Sequence, residues 1–175
     1  MLRKFFTPIS HDQIRLNPLH VDWHLMKKSP HSSSQHAVPR WEHFEHMADI
    51  GLRGYGSSLA QSFEQIALAL TAVVTTPEQV RPLHAVSILC RAPDPELLLV
   101  DWLNALIFEM ASQQMLFARF EVRIDGDRLA ATAWGEAVDR ARHQPAVEVK
   151  GATLTALAVR EQPPGLWAAQ CVVDV

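Results

Sequence analysis

At 175 residues the chain is long enough for one domain with an extension, and too short for two full-sized domains. Its apolar fraction of 48% and mean hydropathy of −0.01 are those of a globular protein, and no apolar run reaches the length of a membrane span. A net charge of −3 provides no domain-wide basic field, which argues against a protein whose main business is coating nucleic acid.

Residues 1 to about 40 carry five of the nine histidines, His11, His20, His24, His31 and His36, and a run of linker composition from Lys27 to Ser34. His20 and His24 are spaced for one helical face. Pro18 is close by and apolar periodicity is missing, so the expectation there is not a metal pair. The opening Met1-Leu2-Arg3-Lys4-Phe5-Phe6 has too short an apolar part for a secretory signal. Residues 1–40 read as a disordered extension of a cytoplasmic protein, and residues 41–175 as the folded domain.

Trp41–His46 and Ile50–Tyr55 read as short strands. Ser58 is placed to cap a helix, with Gln61 completing a capping box. Leu59, Phe63, Ile66, Leu70 and Val73 then follow at helical spacing up to Thr75-Thr76-Pro77. Leu83–Arg91 reads as a strand. Asp94 as N-cap and Pro95 at the first helical position start a second helix, with Leu99, Leu103, Leu106 and Met110 on one face beside Trp102. Phe117–Ile124 alternates as a strand, with Phe117, Arg119, Glu121 and Arg123 expected on one side. Asp125-Gly126 predicts a hairpin turn into a return strand over Leu129–Val138. Asp139–Pro145 reads as a polar loop, and Val147–Arg160 and Leu166–Val175 as a last pair of strands. Two helices among many hairpin-linked strands predict an α+β fold with mixed or antiparallel sheets and the two main helices packed on a sheet face. Cys90 and Cys171 lie in apolar strand-like runs and read as reduced, buried thiols.

The chemistry points to the stretch Glu45–Gly56. Asp49 precedes a strand punctuated by Gly51, Gly54 and Gly56, where the backbone can turn tightly or approach something closely. A turn carboxylate can also simply bond its own loop. A second carboxylate, Asp174, follows the apolar run Cys171-Val172-Val173. If the last strand lies beside the first, Asp49, Asp174 and the main-chain oxygens of Val175 meet at one sheet edge. An all-oxygen set of that kind suits Ca²⁺ or Mg²⁺ rather than zinc. His46 can join such a site, order it, or serve only as a satisfied strand histidine. His43, three residues before it, belongs on the opposite strand face. Glu136, Glu148 and Lys150 read as solvated surface residues. No P-loop, nucleophile elbow, CxxC pair or HExxH motif occurs, so no catalytic machinery is visible.

His46-Met47-Ala48-Asp49-Ile50-Gly51 resembles the H-T-A-D-V/I-G opening of the archease family, with Met47 in place of the usual Thr. The resemblance continues in Glu96-Leu97-Leu98-Leu99-Val100-Asp101-Trp102-Leu103-Asn104, in Ala133-Trp134-Gly135-Glu136, and in Glu148-Val149-Lys150-Gly151-Ala152-Thr153. It ends with Val173-Asp174-Val175, and Leu154-Thr155 departs from the Tyr-His of many members. The resemblance implies an accessory protein rather than an enzyme. Such a protein promotes guanylylation and repeated turnover of an RtcB-type RNA ligase in tRNA splicing and RNA repair, and meets RNA indirectly through the ligase. It further implies a divalent cation, calcium foremost, on Asp49, Asp174 and Val175, with the family's motif lysine falling on Lys150, and Glu148 and His46 as supporting or partner-facing residues. A chaperone-like or RNA- or protein-binding module without ligase-specific activity is the alternative.

Overall fold

The computed structural model describes residues 38–162 and 165–175, all within one compact unit. The expectations placed on residues 1–37, including the His20–His24 spacing, lie outside the described residues.

Strands β1 (Arg40–His46) and β2 (Asp49–Gly56) form a hairpin, followed by helix α1 (Leu59–Val74) and a single 3₁₀ turn at Pro77–Gln79. Strand β3 (His84–Arg91) leads to helix α2 (Pro95–Gln113), then to the hairpin of β4 (Met115–Asp125) and β5 (Arg128–Ala137). A four-residue helix, α3 (Arg140–His143), precedes the last hairpin, β6 (Gly151–Gln162) and β7 (Leu166–Asp174). The strands build two antiparallel sheets, one in the order β1-β2-β7-β6 and one in the order β3-β5-β4.

The helix starts follow local chemistry. Ser58 Oγ accepts the Gln61 N–H at 3.1 Å, and Gln61 Oε1 accepts the N–H of Ser57 at 2.7 Å, so the capping box closes one residue early. Asp94 Oδ1 accepts the Leu97 N–H at 2.9 Å, with Pro95 inside the first turn.

The expected sheet-face packing of the helices extends to both sides. α1 packs on β1, β2 and β7 and also on β4, while α2 packs on β6 and β7 and also on β3, β4 and β5. Each sheet has one apolar face, and the two helices fill the space between those faces. Burial therefore spreads around α2 to Leu98 and Ile107, beyond the single stripe read from its periodicity. Trp102 is fully buried, donates from Nε1 to Phe63 O at 3.2 Å, and meets Phe120 edge-on.

Three expectations are corrected. Phe117 does not share a face with Arg119: a bulge shifts the register between them, so Phe117 is fully buried and Arg119 exposed. The bulge needs Gly135 opposite, where a Cβ would lie 1.8 Å from Leu116 O. The Asp139–Pro145 loop contains α3, capped by Asp139 Oδ1 on the N–H groups of Ala141 and Arg142. Residues 147–150 lie outside the last hairpin, which begins at Gly151.

Candidate functional site

β2 alternates between two environments. A Cβ on Gly54 would lie 2.3 Å from Ile66 N, so that side of the strand faces α1, and Leu52 is buried there. A Cβ on Gly51 would enter the Phe44 ring at 2.3 Å, so Gly51 looks the other way, and Asp49 shares its face. The register pairs Ile50 with Val173 and Gly51 with Val172, so one step further Asp49 stands opposite Asp174. Directly opposed residues on neighbouring strands share a face with their Cβ atoms about 5 Å apart. On the other flank Asp49 pairs with His46 across the Met47-Ala48 turn. One row across the outer face thus reads His46, Asp49, Asp174.

Met47 takes a left-handed φ of 51° at the tip and is 99% exposed, so it packs against nothing. His43, by contrast, lies on the inner side with Nε2 2.8 Å from Ala69 O of α1. His46 Nδ1 is buried and has no hydrogen-bond partner among the described residues.

The remaining expected residues come from the other end of the domain. The Lys150 N–H donates to Asp174 O at 2.9 Å, and the Lys150 ammonium donates to Val175 O at 2.9 Å. Asp49, Asp174, Val175 and Lys150 are therefore gathered at one end of the β1-β2-β7-β6 sheet. Glu148 is exposed and lines a pocket of about 480 Å³ beside Arg140, Met110 and Met115. It does not belong to the row.

Two opposed carboxylates and a main-chain oxygen form an all-oxygen set of the kind that suits a hard divalent cation. An ammonium already resting on Val175 O shows that this oxygen attracts positive charge. Among the described residues no three His, Cys, Asp or Glu side chains gather in metal-binding geometry, so His46 does not complete a three-side-chain cage.

Below the carboxylate row, the same face carries a network that sequence reasoning missed. Arg53 donates to Gln170 Oε1 at 2.8 and 2.6 Å and to Glu42 Oε1 at 2.6 Å, and Tyr55 OH donates to Glu42 at 3.0 Å. The Arg53 guanidinium holds the Glu42 carboxyl below its ordinary range. The network ties β1, β2 and β7 together, and so stiffens the strands that present Asp49 and Asp174. Its signal in the sequence was the alternation of β2, which puts Arg53 and Tyr55 on the Asp49 face.

Glu136 is not a solvated surface residue. It is 3% exposed and receives Arg81 (N–H 2.7 Å, Nε 2.9 Å, NH2 2.7 Å) and Arg142 (2.6 and 2.8 Å). This cluster joins the 3₁₀ turn, β5 and α3, away from the carboxylate row.

The comparisons with known proteins follow the same boundaries as the fold. Residues 41–175 match the model of the Archease protein family. The chain is 39% identical over 142 residues to the protein archease of Pyrococcus abyssi, covering 79% of this chain and 100% of that one. It is 39% identical over 140 residues to the protein archease of Thermococcus gammatolerans, covering 78% and 99%. Among solved structures, the solution structure of Methanobacterium thermoautotrophicum protein 1598 superposes with a TM-score of 0.68 at 32% identity, covering 77% of this chain and 98% of that one.

Proposed function

The chain belongs to the archease family, and from that premise we propose that it is a non-catalytic, cytoplasmic accessory factor that activates an RtcB-type RNA ligase. In this reading Asp49, Asp174 and Val175 hold a divalent cation, calcium foremost and magnesium next, at the tip that meets the ligase. The observation that supports it best is the register that sets Asp49 opposite Asp174 on the outer sheet face, with Val175 O beside them.

When bound, the cation supplies a compact positive charge able to meet phosphate oxygens. The chain's own residues do the rest. Asp49 and Asp174 project from paired strands, which hold them more firmly than a loop would. The Arg53–Glu42–Gln170 network keeps those strands in register. The exposed tip at Met47 leaves the approach to the carboxylates free of packed side chains. RNA enters only through the ligase, in keeping with the net charge of −3. No helix among the described residues is long and apolar enough to cross a membrane.

The test is a multiple-turnover ligation with the cognate ligase, GTP and a divalent metal, with and without this protein. The expected outcome is more ligase-guanylate and more turnovers per ligase. No gain in either removes the reading.

One surface favours the alternative of a nucleic-acid- or protein-binding module. The outward face of the β3-β5-β4 sheet carries Arg91, Arg119, Arg123 and Arg128, with the Arg119 guanidinium 4.4 Å over the Trp134 ring. Salt-sensitive binding of short RNA in the absence of ligase would support that module instead.

A further inference from the structure

Lys150 holds the oxygen that the proposed cation needs. Its ammonium donates to Val175 O at 2.9 Å and forms no ion pair with an Asp or Glu side chain among the described residues. It therefore rests on a main-chain oxygen of Val175 and leaves the side-chain carboxylates of Asp49 and Asp174 open. Its main chain is tethered. The Lys150 N–H is bonded to Asp174 O, Gly151 pairs with Asp174, and the Ala152 N–H is held at 2.9 Å by Asn104 Oδ1 of α2. The side chain is exposed, and its long stem can swing about that fixed point.

A main-chain oxygen can accept more than once, but an ammonium and a divalent cation on one oxygen repel each other. We propose that Lys150 is a built-in competitor for this site: it occupies Val175 O until a cation binds and is then displaced. The displaced ammonium stays within a side chain's length of the tip and meets an anionic group of the partner, a phosphate in chemical class. Lys150 thereby sets the threshold for cation binding and presents its own charge only in the loaded state. This rests on the reading of Asp49, Asp174 and Val175 as a cation site.

The test is calorimetric titration of the full chain with Ca²⁺ alone. Lys150→Met removes the competitor, keeps the stem length, and should tighten calcium binding about three- to tenfold. Lys150→Arg keeps the charge and should stay within about twofold of the wild type. In the wild type, saturating calcium should raise the acetylation rate of Lys150, read by mass spectrometry against Lys4, Lys27 and Lys28. Equal or weaker calcium binding by Lys150→Met overturns the proposal. If the wild type binds calcium, Asp49→Ala abolishes it and Lys150→Met is unchanged, only the competitor role falls. If the wild type binds none, the cation site falls with it.

Discussion

His143 Nδ1 accepts the Asp139 N–H at 3.0 Å, while its Nε2 lies 3.3 Å from Glu136 Oε1. The ring therefore carries a hydrogen on Nε2 and donates it to the carboxylate. Glu136 receives this bond in addition to Arg81 and Arg142, and His143 is only 2% exposed. The Thr75 hydroxyl donates to His143 O at 2.5 Å and ties the end of α1 to the same knot.

Removing the carboxylate should therefore cost stability, although the residue touches nothing at the tip. Breaking a fully buried pair costs about 3–5 kcal/mol. The side chains of Arg81 and Arg142 are 63% and 33% exposed and can rehydrate, so Glu136→Ala should cost about 2–3 kcal/mol. Denaturant unfolding of the variant checks this. Any calcium-dependent rise in melting temperature should persist in it, from a lower baseline.

The same cluster predicts acid sensitivity. The guanidiniums of Arg142 and then Arg81 hold the Glu136 carboxyl far below the usual carboxylate range. A group whose folded pKa is lowered contributes its stability above the unfolded value, about 4.3, and loses it as pH falls toward the folded value. The wild type should thus lose stability progressively below about pH 4.5, and Glu136→Gln should flatten that decline. Parallel slopes for the two proteins in acid melts would place the sensitivity elsewhere.

At the tip, calcium should act as a stabilising ligand. A cation present at about a hundredfold its dissociation constant adds about 2.7 kcal/mol, equivalent to a rise of about 5–10 °C in a domain of this size. Asp49→Ala and Asp174→Ala should each remain folded and lose that rise, because neither side chain belongs to the core. Thermal melts with and without calcium decide it, and a wild-type response in both variants would mean that the carboxylates form no site.

Gly54 should tolerate no side chain. A Cβ there would lie 2.3 Å from Ile66 N and 2.4 Å from Ser62 O, both main-chain atoms of α1. The helix would have to lift from β2, so Gly54→Ala should cost about 3 kcal/mol. A midpoint of unfolding within error of the wild type would show that α1 can move away at little cost.

The two thiols should react far more slowly in the folded protein than in the unfolded chain. Cys171 is fully buried, and burial pushes its thiol up to about 11; burial, with Asp101 adding to it, also pushes Cys90 up to about 11. At pH 8 the thiolate fraction is then about one in a thousand. Cys90 is only half-buried, contrary to the expectation of a buried thiol. Iodoacetamide should therefore modify Cys171 only after unfolding and Cys90 slowly in the native state, and rapid native labelling of Cys171 would contradict its burial.

What could be read from the sequence is what acts over a few residues. Ser58 and Asp94 start their helices because a side-chain oxygen finds the N–H three residues ahead. Asp125-Gly126 turns the chain because Gly126, at φ 58°, accepts a left-handed backbone. The carboxylate pair was legible as a conditional: Asp49 before one strand and Asp174 at the end of another, to meet if those strands were neighbours. Only the fold decided that β7 lies beside β2 in a register that opposes them, because strand order is set by backbone hydrogen bonds between segments over a hundred residues apart. The same non-local packing reversed two local readings. Phe117 turned inward because a bulge against Gly135 broke the alternation, and Glu136 became a buried anion because Arg81 and Arg142 converge on it from separate segments. The hold of Lys150 on Val175 O, across 25 residues of chain, belongs to the tertiary structure alone, since no local spacing rule joins the residue just before one strand to the residue just after its partner.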